Sequence, residues 1–234
     1  MRKIENKPLL HSYLKKHNLL SLFADIPRSE IHLYEFTKRE IVIATGEAID
    51  QMYFFVDGKI KIYTDTIDDR RLTLRFQKAP AIVGELEYLH NEHAQHSVAA
   101  STNCLAIGIR FDTIRKHLND NPVFLRYLLE MISEKFSAKV HVSSMNLLYP
   151  VDVRFASYLL SISGEDEETL FDEDREDITL SDISEMIGTS YRHLNRVVQR
   201  LCDEGIIRKE KRIVHINDRK KLLEIAKGNI YEQS

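Results

Sequence analysis

Two stretches of the chain hold residue types that could do chemistry. GELEYLHNEHAQHS, Gly84 to Ser97, spaces His90, His93 and His96 three residues apart, with Glu85, Glu87 and Glu92 among them. Imidazoles and carboxylates at such intervals suit a metal site, the mouth of a ligand pocket, or a solvated loop. SYRHLNRVVQRLCDEG begins at Ser190 and turns Ser190, Tyr191, Arg192, Asn195, Arg196 and Gln199 away from Leu194 and Val197, with His193 beside them. Arg can grip guanine, Asn and Gln can grip adenine, and all can reach phosphates. This second stretch therefore points to nucleic acid.

The elements that must carry these groups follow from periodicity. Residues 34–111 read as short β-strands. EIVIATGE breaks at Gly46, VDGKIKIY offers Asp57-Gly58 as a hairpin signal, TIDDRR is a polar turn, and RLTLRF alternates as a half-buried strand does. Several such strands suggest a barrel or jelly roll. At Asn121-Pro122 the period changes to helical, with Asn as cap and Pro in the first turn. Leu125, Leu129, Ile132, Phe136 and Val140 form one apolar line; Phe124, Leu128 and Met131 form a second. Such a wide apolar surface fits packing on the chain's own barrel, or a seam against a second copy.

Residues 151–162 read as a short amphipathic helix. The next run, GEDEETLFDEDRED, holds nine acids against Arg175 and lacks the Ca²⁺-loop order, so it reads as solvated. ITLSDISEMIGTSYRHLNRVVQRL then gives a capped helix from Thr179 or Ser181, a stop at Gly188, and a second cap at Ser190. Small Ser184 and apolar Ile183, Ile187, Leu194 and Val197 fall where two crossed helices meet. This is helix-turn-helix spacing. Two short strands with Lys209, Lys211 and Arg212 make a wing placed to touch phosphates. From Ile178 to Lys221 ten Lys/Arg face six Asp/Glu, so this part is basic within a chain of net charge -3.

That overall charge and a pI near 6.4 exclude a uniformly basic nucleic-acid binder. A hydrophobic fraction of 43% supplies an ordinary globular core. Cys104 and Cys202 are far apart, which speaks against a disulfide framework and fits a reducing, cytoplasmic setting. The basic N-terminus is broken by charges and reads as an amphipathic helix rather than a leader, and no membrane span is expected.

A β-roll, a long helix and a winged helix-turn-helix, in this order, resemble the CRP/FNR family of bacterial transcription regulators over residues 30–225. The resemblance is carried by TGE at Gly46, VDGKIKIY at Gly58, VGELEYL at Gly84 and IGTSYRHLNRVVQRL; VGELEYL and SYRHL are similar to the YeiL-type branch. It implies an α+β fold in three parts: an effector-binding-like β-roll with N-terminal helices (1–120), a dimerisation helix (121–150) and a DNA-binding domain (151–234). It further implies a homodimer on a roughly palindromic duplex operator, half-sites about one helical turn apart, with RNA polymerase as a candidate partner.

Departures from the family pattern narrow this. Cyclic-nucleotide binders hold a phosphate at the GEL helix start and neutralise it with an Arg about ten residues on. Gly84, Glu85 and Leu86 are present, but no Arg occurs between Arg75 and Arg110, and Gln95-His96 or His96-Ser97 stands where an Arg-Ser pair is usual. The frame is kept and its cation is missing, so cyclic AMP is not the expected effector; no cofactor is assigned and the effector is open. His96 and Ser97 join Gly84, Glu85 and Leu86 as pocket candidates. The absence of cysteines before Cys104 excludes an N-terminal iron–sulfur cluster. Ser190-Tyr191-Arg192 replaces the family's Ser-Arg-Glu, so its Glu-to-cytosine contact is lost, while Arg196 matches the family's later Arg. One alternative is a metal-responsive regulator using His90, His93 and His96. Another is a pocket without ligand. A cupin-like metalloenzyme is disfavoured because the chain has no H-x-H. The expectation is a regulator, not an enzyme.

Overall fold

The computed structural model describes residues 1–65, 71–162, 179–210 and 213–227. The chain divides into two compact units, Met1–Glu134 and Lys135–Ser234. The acidic run at 164–177, most of the TIDDRR turn, and Lys211 and Arg212 lie outside the described residues.

The first unit opens with β1 (Arg2–Ile4), α1 (Lys7–Lys16) and α2 (Leu19–Leu22). The strands β2 (His32–Phe36), β3 (Ile41–Ile43), β4 (Gln51–Asp57), β5 (Lys59–Asp65), β6 (Arg71–Lys78) and β7 (Ala81–Val83) follow. Next come α3 (Glu85–His90), β8 (Ser97–Ala100), β9 (Cys104–Arg110), α4 (Phe111–Leu118) and the start of α5 (Pro122–Leu148). Two antiparallel sheets result, ordered β1-β2-β9-β4-β7 and β3-β8-β5-β6. The MYFFV run of β4 shows why they form a roll. Met52, Phe54 and Val56 pack under the helices with Leu14, Phe23, Ile114 and Phe124, while Tyr53 and Phe55 turn into the roll with Phe36, Ile60 and Val98. Alternation puts successive side chains on opposite faces, and both faces of this strand are buried.

Asp57-Gly58 does not close a hairpin between paired strands. β4 and β5 belong to different sheets, and the chain changes sheet at Gly58. Gly58 is left-handed at φ +86, and a Cβ there would run into the main chain and sulfur of Asn103 and Cys104. The glycine serves a corner against β9. β5 pairs instead with β6 and β8.

Asn121 starts α5 as its sequence suggests, its Oδ1 accepting from the N–H groups of Val123 at 2.9 Å and Phe124 at 3.1 Å. The two apolar lines have different fates. Phe124 and Leu128 are buried against the roll, with Met131 beside them. Leu125, Leu129, Phe136 and Val140 stay exposed, Leu129 by 66% and Phe136 by 69%.

The second unit holds the rest of α5, then α6 (Val151–Ile162), α7 (Leu180–Met186), α8 (Tyr191–Asp203), β10 (Ile207–Glu210), β11 (Ile213–Ile216) and α9 (Arg219–Ile225). α6 is not amphipathic. Val151, Val153, Phe155, Ala156, Tyr158, Leu159 and Leu160 bury it on all sides, because α8 and α9 both pack on it. β10 and β11 pair antiparallel from Ile207↔Ile216 to Glu210↔Ile213 and form the expected wing. Among the described residues no helix is long and apolar enough to cross a membrane.

Candidate nucleic-acid interface and ligand-pocket frame

Local chemistry builds the helix-turn-helix. Thr179 Oγ1 accepts from Asp182 N–H at 3.2 Å, and Asp182 Oδ2 accepts from Thr179 N–H at 3.0 Å, a reciprocal capping box. α7 stops in a Schellman turn. Gly188, left-handed at φ +64, donates to Glu185 O at 3.1 Å, and Thr189 N–H donates to Ser184 O at 2.8 Å. Ser184 is buried, as close helix approach requires. Ser190 Oγ then accepts from His193 N–H at 3.2 Å and starts α8.

The two faces of α8 separate cleanly. Leu194, Val197, Val198 and Leu201 are buried; Ser190, Tyr191, Arg192, His193, Asn195, Arg196 and Gln199 are exposed. Its cations differ in what they already touch. Arg200 donates to Asp152 Oδ2 at 2.8 Å, which ties α8 to α6. Burial alone would raise the Asp152 pKa, but hydrogen bonds from Arg200 and Val153 N–H outweigh it and hold the carboxyl below its ordinary value. Arg192 and Arg196 make no ion pair among the described residues. Beside them lies a cavity of about 480 Å³ lined by Asn195, Gln199, Cys202, Arg208, Lys209 and Asn217. Arg208 and Asn217 do not stand out in the sequence. Arg208 alternates with Lys209 on β10, but Asn217 reaches the groove only because β11 folds back along β10.

In the first unit, Gly84 enters α3 left-handed at φ +95, with Gln51 O only 2.9 Å from where a Cβ would sit. Glu85 is buried at 5% exposure, while Leu86 lies open at 39%. Ser97 is buried and its Oγ accepts from Thr45 N–H at 3.0 Å; the two hydroxyls meet at 2.9 Å. Gly46 N–H donates to Ala94 O at 2.7 Å, so the TGE turn braces the far end of the stretch. His96 is half-buried and adjoins Ser97, while Gln95 is exposed and donates to Glu92 Oε2 at 3.0 Å. The histidines do not share a helix face. α3 ends at His90 because Asn91 is left-handed at φ +56, and His93 is exposed beyond it. Among the described residues no three His, Cys, Asp or Glu side chains are grouped to hold a metal.

A cation does turn into the roll, from another strand. Arg75, on β6, pairs in register with Ile62, which pairs in turn with Val98, and both partners lie in the core inside the roll. Facing residues of an antiparallel pair share a side of the sheet, so Arg75 points inward. Burial lowers its pKa and the charge of Glu85 opposes that fall, which puts the two groups within electrostatic reach. Gln77, two residues on, faces the same way opposite Ile60, and its Oε1 is buried with no hydrogen-bond partner. Phe76 lies on the outer face with the ammonium groups of Lys59 and Lys61 5.0 and 5.6 Å from its ring centroid. The alternation of RLTLRF misses this because a bulge opposite Ile62 and Tyr63 makes Leu74 an extra residue. Leu74 nevertheless packs against the core inside the roll.

Comparison with known proteins agrees with this architecture. Residues 33–121 match the cyclic nucleotide-binding domain, and residues 153–225 match the Crp-like helix-turn-helix domain. Over 198 residues the chain is 25% identical to the regulatory protein YeiL of Escherichia coli O157:H7, covering 85% of this chain and 87% of that one. It is 24% identical to a CRP-like cAMP-activated global transcriptional regulator of Mycobacterium tuberculosis, covering 82% and 87%. The crystal structure of a CRP-family transcriptional regulator from Thermus thermophilus superposes with a TM-score of 0.69 at 18% identity, over 84% of this chain and 98% of that one. With both domains present in this order, the chain belongs to the CRP/FNR family and is a transcription regulator of that type with a DNA-binding helix-turn-helix.

Proposed function

We propose that the chain acts as a homodimer on a two-fold symmetric operator, reading it with α8 and steadying itself on phosphates with the wing. The observation that carries this is Arg192 and Arg196, without an ion pair among the described residues, on the exposed face of a doubly fixed helix, with Asn195 and Gln199 beside them. Tyr191, His193 and Ser190 flank the base-reading side chains, and Lys209, Lys211 and Arg212 serve the backbone. The test is selection of bound duplexes from a random pool by the purified protein. Two inverted half-sites about one helical turn apart are expected; enrichment of no common sequence refutes the reading.

Residues 1–120 form the sensing part, 121–150 the dimer helix and 151–234 the DNA-binding part. The exposed line of Leu125, Leu129, Phe136 and Val140 supports the seam, since apolar surface of this extent along one helix calls for a partner. Ile132→Asp should yield monomers in sedimentation, and an intact dimer counts against the seam. For the pocket framed by Gly84, Glu85, Leu86, His96 and Ser97, we infer that cyclic AMP is not the effector. Arg75 turns into the roll within electrostatic reach of the buried Glu85, so an incoming phosphate would meet a carboxylate as well as a cation. Titration calorimetry with cyclic AMP should show no saturable heat at millimolar ligand. The protein works in the cytoplasm, at the chromosome, as a regulator and not as a catalyst, with RNA polymerase as its second macromolecular partner.

A further inference from the structure

The turn between α7 and α8 is held from outside the helix-turn-helix. After the Schellman turn has satisfied Ser184 O and Glu185 O, the carbonyls of Met186, Ile187 and Gly188 still point outward at a helix end that carries partial negative charge. Arg154 of α6, only 6% exposed, directs Nη1 at Ile187 O and, at 3.3 Å, at Gly188 O. Asn146, in the last turn of α5, bridges the two groups. Its Nδ2 donates to Met186 O at 3.3 Å and its Oδ1 accepts from Arg154 Nη1 at 3.4 Å. Only this orientation of the amide gives each end a matching partner. A Cβ on Gly188 would lie 3.3 Å from Asn146 Nδ2 and 3.4 Å from Arg154 Nη1, so the node also sits flush against the turn.

We propose that Asn146 is a positioning residue for operator recognition, setting the angle of α8 by linking the end of the long helix to the carbonyls of the helix-turn-helix turn. A buried guanidinium must be matched by acceptors or it is strongly destabilising, so Arg154 fixes the core of the node. The Asn146 bonds are long, at the weak end of the hydrogen-bond range. They are therefore adjustable: a small turn or shift of the last turn of α5 changes which carbonyl the amide meets, and α8 follows because its cap, Ser190, stands two residues after Gly188. The same helix carries the exposed apolar line assigned above to the dimer seam. This inference rests on the regulator reading, and it names the side chain through which that helix addresses the recognition helix.

The test uses the full chain, a duplex selected by the wild type, and a scrambled duplex of equal length at the same salt. Asn146→Ala should weaken binding of the selected duplex about tenfold while binding of the scrambled duplex and the thermal midpoint stay as in the wild type. Asn146→Asp keeps the acceptor for Arg154 but sets an oxygen against Met186 O, and should lose the same discrimination without loss of stability. Asn146→Ala binding both duplexes as the wild type does overturns the proposal. So does an equal loss on both duplexes with a lowered midpoint, since that marks a purely structural side chain. A wild type that enriches no duplex instead refutes the regulator reading itself.

Discussion

The two units use arginine in opposite ways. In the roll, Arg75 turns inward, within electrostatic reach of the buried Glu85. On α8, Arg192 and Arg196 stand in solvent with no ionic partner among the described residues, while Arg200 on the same helix is fastened to Asp152. A cation turned inward beside a buried carboxylate serves the fold; one held rigidly in solvent is available to a ligand. The difference lies in the backbone phase that delivers each side chain, since the residue type is the same.

Stability and binding should therefore respond in reverse order in the two places. Arg75→Ala removes a cation within reach of the buried Glu85 carboxylate and should cost about 1–3 kcal/mol in denaturant unfolding. Its effect on affinity for the selected duplex should follow only from lost protein. A neutral outcome in unfolding means that Glu85 is held by other groups. Arg192→Ala and Arg196→Ala should each cost about 1–3 kcal/mol in operator binding. They should move unfolding by no more than about 0.5 kcal/mol. If either lowers stability instead of affinity, its side chain belongs to the fold.

Asp152→Asn should produce the smallest change, about 0.5–1 kcal/mol of stability at neutral pH, because the pair with Arg200 is partly exposed. Its pH dependence has a definite sign. The folded carboxyl titrates below its ordinary value of 3.8, so the contribution is fully present above that value and fades as pH falls through the lower, folded pKa. Wild type and Asp152→Asn should therefore converge in unfolding free energy only in strong acid. Convergence already near pH ~6, well above the ordinary carboxylate range, would mean the bridge is absent in solution.

Legibility in the sequence follows the range of the interactions. Thr179, Gly188 and Ser190 act within a few residues of themselves, so caps, turn and exposed face of the helix-turn-helix can be read directly. Asp57-Gly58 carries the same local signal as a hairpin, but one of the strands that β5 pairs with, β8, lies far along the chain. Arg75 escapes notice for a related reason: one extra residue in a bulge reverses the side to which everything after it points. α6 reads as amphipathic because the wall that buries its second face, α9, lies beyond the wing. The two apolar lines of α5 differ in burial, and periodicity alone does not say which line faces the roll.

The outer row of β6 has a further consequence. Among the described residues β6 is one of the two edges of the four-stranded sheet, and a bare edge offers unpaired main-chain groups to any passing strand. Here Lys78 sits directly opposite Lys59, and Phe76 lies against the ammonium groups of Lys59 and Lys61. Another strand docking along this margin would have to pack beside these cations and cover the aromatic ring they hold. The arrangement disfavours edge-to-edge polymerisation along β6, whatever other surface a second copy uses.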